Sequence, residues 1–155
     1  MVRALFLDYP DDPGAWLIED QYMFGSDMLV APLLTNGDGR EVYLPPGSWI
    51  DYQTGRSYPA GWHHIEKGEL DIIVLVRDGA VIPHIKLAQS TMEMDWSRLD
   101  LVVYTTGNQA AGGLVCLPED NELHEIALQL SGNKYRLTED PLDGRVTWKI
   151  RTYAD

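Results

Sequence analysis

EDQYMFGSDMLVAPLL, residues 19–34, is where this sequence changes character. Three acids and a Gln-Tyr-Met-Phe quartet run into a solidly apolar tail. Acids beside aromatics fit a binding site, and they fit a joint between domains equally well. The flanking sequence frames the choice. After Asp27, short apolar runs are broken by turn clusters at roughly eight- to twelve-residue intervals, the pattern of an antiparallel sandwich or barrel. Before it, VRALFLD (2–8) is almost wholly apolar and stops at Tyr-Pro-Asp-Asp-Pro-Gly. A run of that kind reads as a strand buried on both faces, as in parallel sheets.

Working outward, Asp20–Gly25 reads as one helical turn stopped by Gly25. MLVAPLL (28–34) reads as a buried strand that Pro32 pushes toward an edge or bulge. Asn36-Gly37-Asp38-Gly39 is a hairpin-type turn. REVYLPPG (40–47) and GSWIDYQTG (47–55) read as separate strands, and RSYPAGWHHIE (56–66) as two short ones around Pro-Ala-Gly. ELDIIVLVRDG (69–79) is the strongest strand, with AVIPHI after it; residues 87–96 read as a loop or short helix. LDLVVYTTG is a strand, and GGLVCLPEDNELHEIALQL holds two around Pro-Glu-Asp-Asn. KYRLTED and RVTWKIRTY read as a last hairpin around Pro-Leu-Asp-Gly. Sustained helical periodicity, repeats and low-complexity segments are absent from the sequence.

The 155 residues are 45% hydrophobic and 23% charged, enough apolar content for a packed core. Twenty-four acids against 12 bases give a net charge of −12. Such a surface repels phosphate backbones and anionic membranes, so neither nucleic acid nor membrane is expected as a partner. The apolar runs fall short of the ~18 residues of a membrane span. MVRALFLDYP lacks the pattern of a signal peptide. A soluble, cytoplasmic protein is the expectation.

The acids Asp8, Asp11, Asp12, Glu19, Asp20 and Asp27 invite a carboxylate-pair reading, since glycoside hydrolysis needs two carboxylates a few ångströms apart. Beside Pro and Gly, such a cluster is more often a solvated loop. Asp8 stands apart because it follows an apolar strand, and ligands of parallel sheets sit at strand exits. His63-His64 suggests a metal, but adjacent strand residues point to opposite faces. His84 and His124 are isolated, so no metal or other cofactor is expected. The lone Cys116 reads as a small buried hydrophobe rather than a nucleophile. Trp16, Trp49, Trp62, Trp96 and Trp148 could stack on sugars, although tryptophans of a sandwich more often fill the core or rim.

The order of motifs is informative. Arg3 to Pro10 (RALFLDYP), Asp20-Gln21-Tyr22-Met23-Phe24-Gly25, Met28 to Pro32, Val42 to Asp51 with Thr54-Gly55 after it, and more loosely Glu69 to Pro83 follow one another. Taken together they resemble glycoside hydrolase family 31, which contains α-glucosidases and α-xylosidases. The resemblance covers residues 2–85. Glu69 and Val74 stand where the family usually has Pro, and past Trp96 only the strand pattern is compatible.

The resemblance implies an all-β fold: an antiparallel β-sandwich over residues 28–155, preceded over 1–27 by a remnant of a (β/α)8 catalytic barrel and the joint to it. It implies that both catalytic aspartates lie upstream of Arg3, so no catalytic or substrate-binding residue is assigned here, and this chain alone is expected to be inactive. Asp8 is the one residue expected near a family active site, as a support. The expected role is to brace the barrel of a retaining α-glycosidase that acts on α-linked oligosaccharide. Residues 19–34 then read as the joint. Two alternatives stay open: a stand-alone carbohydrate-binding module, or an assembly module that pairs with a second copy through residues 2–7.

Overall fold

The computed structural model describes residues 1–119 and 121–153. The chain is all-β and mostly antiparallel, and it divides into two compact units, Met1–Asp78 and Gly79–Asp155. Residues 1–27, expected as a barrel remnant, are built into the first unit, so the joint near residue 28 falls inside it.

The first unit holds one six-stranded sheet. In chain order its strands are β1 (Val2–Ala4), β2 (Tyr22–Phe24), β3 (Met28–Pro32), β4 (Gly39–Asp51), β5 (Ser57–Glu66) and β6 (Ile72–Arg77). Across the sheet they run β1-β2-β3-β6-β4-β5, and every neighbouring pair is antiparallel. Its core gathers Leu5, Met23, Leu29, Val42, Leu44, Trp49, Ile65, Ile73 and Leu75, each almost wholly shielded from solvent.

Several expectations are corrected in this unit. VRALFLD is not one strand: only Val2–Ala4 is extended, and Leu5–Asp8 closes one helical turn, α1. A strand buried on both faces needs neighbours on both edges, whereas β1 has only β2. Past Ala4 the backbone satisfies itself locally, with Tyr9 N–H donating to Leu5 C=O at 3.0 Å. Residues 22–24 are a strand and not a helical turn; Gly25 does end it, at a φ of 70°. Finally, REVYLPPG and GSWIDYQTG form one strand, because a bulge between Leu44 and Ser48 absorbs Pro45-Pro46-Gly47 without breaking it. Likewise β5 runs unbroken through Pro-Ala-Gly. Pro32 is tolerated inside the sheet because it is the last residue of β3.

The second unit also holds a six-stranded sheet: β7 (Ala80–His84), β8 (Arg98–Tyr104), β9 (Ala110–Cys116), β10 (Leu123–Ser131), β11 (Lys134–Leu137) and β12 (Thr147–Thr152), ordered β11-β10-β9-β7-β8-β12. Val81, Leu101, Val103, Ile126, Leu128 and Leu142 centre its core. Residues 87–96 contain a single 3₁₀ turn, Thr91–Glu93. The expected last hairpin does not form. β11 pairs back on β10, while β12 runs parallel to β8, with Trp148 opposite Leu99 and Ile150 opposite Leu101. The apolar residues of β12 thereby reach the core beside β8. Asp120, in the expected Pro-Glu-Asp-Asn connection, lies outside the described residues.

Candidate functional site

The first 27 residues carry the densest polar network of the first unit. Arg3, on β1, reaches Asp8 at the end of α1 through two parallel bonds, Nε to Oδ1 at 2.8 Å and Nη2 to Oδ2 at 2.9 Å. The same Nη2 donates to Gly25 C=O at 3.0 Å. This fork-to-fork geometry ties β1, α1 and the turn after β2 into one piece. The Asp8 carboxylate also holds the Arg3 guanidinium above its ordinary pKa, first through the hydrogen bond and then through its charge. Asp8 thus stands at a helical turn and not at a strand exit.

Next along, Tyr9 accepts a bond from Arg77 Nη2 at 2.6 Å, and burial raises its phenol. The Arg77 guanidinium lies over the rings of Tyr9 (5.7 Å) and Trp49 (5.2 Å). Asp27 faces it at 3.8 Å. A cation over two aromatic faces fixes the end of β6 against the segment after α1. Asp12 accepts from Tyr43 O–H at 2.7 Å and from Gly14 N–H at 3.0 Å. Burial, and after it the bond to Asp12, pushes the Tyr43 phenol up to about 12. Gly14 is required there, because a Cβ would lie 2.4 Å from Tyr43 Oη.

Gln21 completes the network. It is buried, and its amide pairs both backbone groups of Tyr43, donating to C=O and accepting from N–H at 2.8 Å each. Asp20 pairs with Arg40. Asp20 and Gln21 therefore tie the segment entering β2 to β4. Glu19 and Asp11 stay in solvent.

Asp8, Asp12, Asp20 and Asp27 each serve a cation or a backbone group. Among the described residues no group of three metal-ligating side chains is found. His63 contacts Pro59 C=O and the Tyr58 ring, while His64 pairs with Glu41, so the two rings do separate as strand alternation requires. His84 is half-buried on β7, and His124 lies on β10. Cys116 is exposed, which corrects the buried reading. Val115 and Leu117 take the inward positions of β9 and its exit, and period-two alternation turns Cys116 outward. Trp49 is buried, Trp96 and Trp148 pack on the second core, and only Trp16 and Trp62 are exposed.

One feature was invisible in sequence. Large apolar side chains left in solvent concentrate at the start of the chain: Met1, Val2, Leu7, Trp16, Leu17 and Phe24. Val2 and Phe24 stand opposite each other on β1 and β2, at 58% and 52% exposure. Phe6 stacks on Trp16 with ring centroids 5.0 Å apart. Such a concentration marks a surface made to be covered.

The sequence profile of the glycosyl hydrolase family 31 C-terminal domain matches residues 1–82. The chain belongs to glycosyl hydrolase family 31. The match spans the whole first unit. An α-xylosidase of Saccharolobus solfataricus is 37% identical over 111 residues, 70% of this chain and 15% of that protein. Alpha-glucosidase 2 of Bacillus thermoamyloliquefaciens is 30% identical over 112 residues, 71% of this chain and 14% of its own length. The solved family 31 dextranase of Flavobacterium johnsoniae, complexed with glucose, superposes with a TM-score of 0.74 at 25% identity. That overlap covers 88% of this chain and 18% of the dextranase. The chain thus spans about a seventh of the length of the two curated relatives. It carries the family's C-terminal domain over residues 1–82, and the relatives it matches are much longer proteins.

Proposed function

We propose that this chain braces the catalytic (β/α)8 barrel of a retaining α-glycosidase, and that the barrel covers the apolar surface at residues 1–24. The observation that carries the reading is that surface: six large apolar side chains exposed within 24 residues, on elements that the Arg3–Asp8 fork and Gln21 hold rigid. Burial of such a surface by a partner domain is favourable at roughly 25 cal/mol per Å². The family membership and the names of the relatives support an α-glucosidic or α-xylosidic substrate for the assembled enzyme. Catalysis would proceed through a covalent glycosyl-enzyme intermediate on one barrel aspartate, with a second aspartate acting as general acid and then as general base. In this reading Asp8 acts by positioning Arg3 and the first strand, behind the sugar pocket. Without the barrel, the open edge of β1 would be free to pair with a second copy through residues 2–7.

The test begins with the coding sequence upstream of the Met1 codon. The expected result is an open frame encoding parallel barrel strands with two aspartates. The combined chain then hydrolyses aryl α-glucoside or α-xyloside, while the present chain alone does not. In the combined chain, L7D with L17D lowers the thermal midpoint by charging the seam. A stop codon close upstream, or turnover by the present chain alone, overturns the proposal.

A further inference from the structure

Trp62 has no part in the apolar surface at residues 1–24, yet it is 59% exposed. It lies on β5 directly opposite Tyr43 of β4, and the next outward pair along the ladder is Glu41 with His64. Val42, between Tyr43 and Glu41 on β4, points inward and is buried, and its partner across the ladder is His63. The four outward side chains therefore share one face, with the two pairs about 7 Å apart.

This face is fixed before anything binds. The indole leans on the Tyr43 ring, centroids 5.4 Å apart at 56°. Tyr43 cannot swing away, because its hydroxyl is held by Asp12 and its backbone by Gln21. His64 Nδ1 is 2.9 Å from Glu41 Oε1. The imidazole lies close over Gly39, where a Cβ would be 3.1 Å from its Nε2. Gly61, at a φ of 115°, and the bulge after Leu44 adjoin Trp62, and bulges re-aim side chains.

We propose that this outward face of β4 and β5 is a surface site for a neutral pyranose oligosaccharide. A sugar ring stacks its C–H face on the Trp62 indole. Its edge hydroxyls then lie over the next pair and donate to the Glu41 carboxylate, which His64 orients. Charge selects this occupant. A nucleotide would bring phosphate against a chain of net charge −12. An apolar peptide would bury the Glu41–His64 pair with nothing to replace its water. A neutral polyol satisfies both the aromatic face and the polar pair. Rigidity of the platform reduces the ordering cost of binding.

The experiment titrates the full chain with maltotriose and with isomaltotriose, using glycerol as a polyol without a ring. The indole N–H signal of Trp62 is followed by NMR, assigned by its loss in W62F. The expected result is a saturable shift by about 10 mM of one trisaccharide, as for a millimolar dissociation constant. W62A, followed through the backbone amide signals of Tyr43 and His64 because the indole is gone, should weaken binding at least tenfold and E41Q severalfold, with W16A retaining it. Because Trp62 is exposed, W62A should keep the far-UV spectrum of the parent. The proposal is overturned by no shift, by an equal shift with glycerol, or by binding that survives W62A. It is also overturned if the Trp62 signal moves with protein concentration alone, which would assign the face to a second copy.

Discussion

Gln21 shows how much one side chain can hold. Its buried amide answers both backbone groups of Tyr43, so removing it leaves a donor and an acceptor without water. We expect Q21A to cost about 1–3 kcal/mol in urea denaturation. Q21E should cost at least as much, since a carboxylate cannot donate to the Tyr43 carbonyl. His84 gives a pH signature. Burial, and then Arg151, lowers its pKa below the ordinary 6.5, with Asp100 opposing. The unfolded chain therefore takes the proton first as pH falls. The contribution of neutral His84 is fully present above about 6.5 and is lost as pH falls through the lowered folded value. H84Q should accordingly gain stability relative to the parent as pH drops below about 6.5. Thermal midpoints at a series of pH values check this, and parallel profiles for the two proteins would refute it.

Among the elements, β9 depends on a glycine that sequence alone presents as ordinary. Gly113 lies against β7 so closely that a Cβ would stand 2.1 Å from Val81 C=O. The obstacle is backbone and cannot rotate aside. G113A should destabilise the second unit by roughly 2 kcal/mol or more, whereas G112A, whose Cβ would meet Ile126 C=O at 3.4 Å, should be milder. Chemical denaturation of the two variants separates them. The elements also show where reading by pattern stops. Apolar runs bounded by turn residues identified β6, β8 and β10. The same reading missed the continuity of β4, because Pro-Pro-Gly looks like a stop unless a bulge can accommodate it. It paired β11 with β12 because neighbours in sequence usually pair. The partner of β12 is β8, 49 residues earlier by the Thr147–Arg98 register, and nothing local to either strand encodes that.

For the whole molecule the governing quantity is charge. A net charge of −12 on 155 residues strains the compact state by self-repulsion. Raising the salt from about 0.01 M to 0.15 M shortens the screening length from roughly 30 Å to 8 Å. The thermal midpoint should therefore rise with sodium chloride over that range. A falling midpoint would show that the paired charges, Arg3–Asp8 and Arg40–Asp20 among them, outweigh the repulsion. Solubility should be poorest near pH 4.5, where the net charge vanishes.

By itself the sequence determined the all-β class, most strand positions and the family, because turn residues, period-two alternation and motif order are properties of contiguous residues. Only the tertiary structure decided that α1 turns helical beyond β1, that Cys116 faces solvent, and that Trp16 and Trp62 are the exposed tryptophans. It alone gathered apolar residues 1 to 24 into a surface and set Trp62 beside Tyr43. The reason is physical. Burial and pairing depend on which strand lies alongside, and that is settled by contacts between residues far apart in the chain.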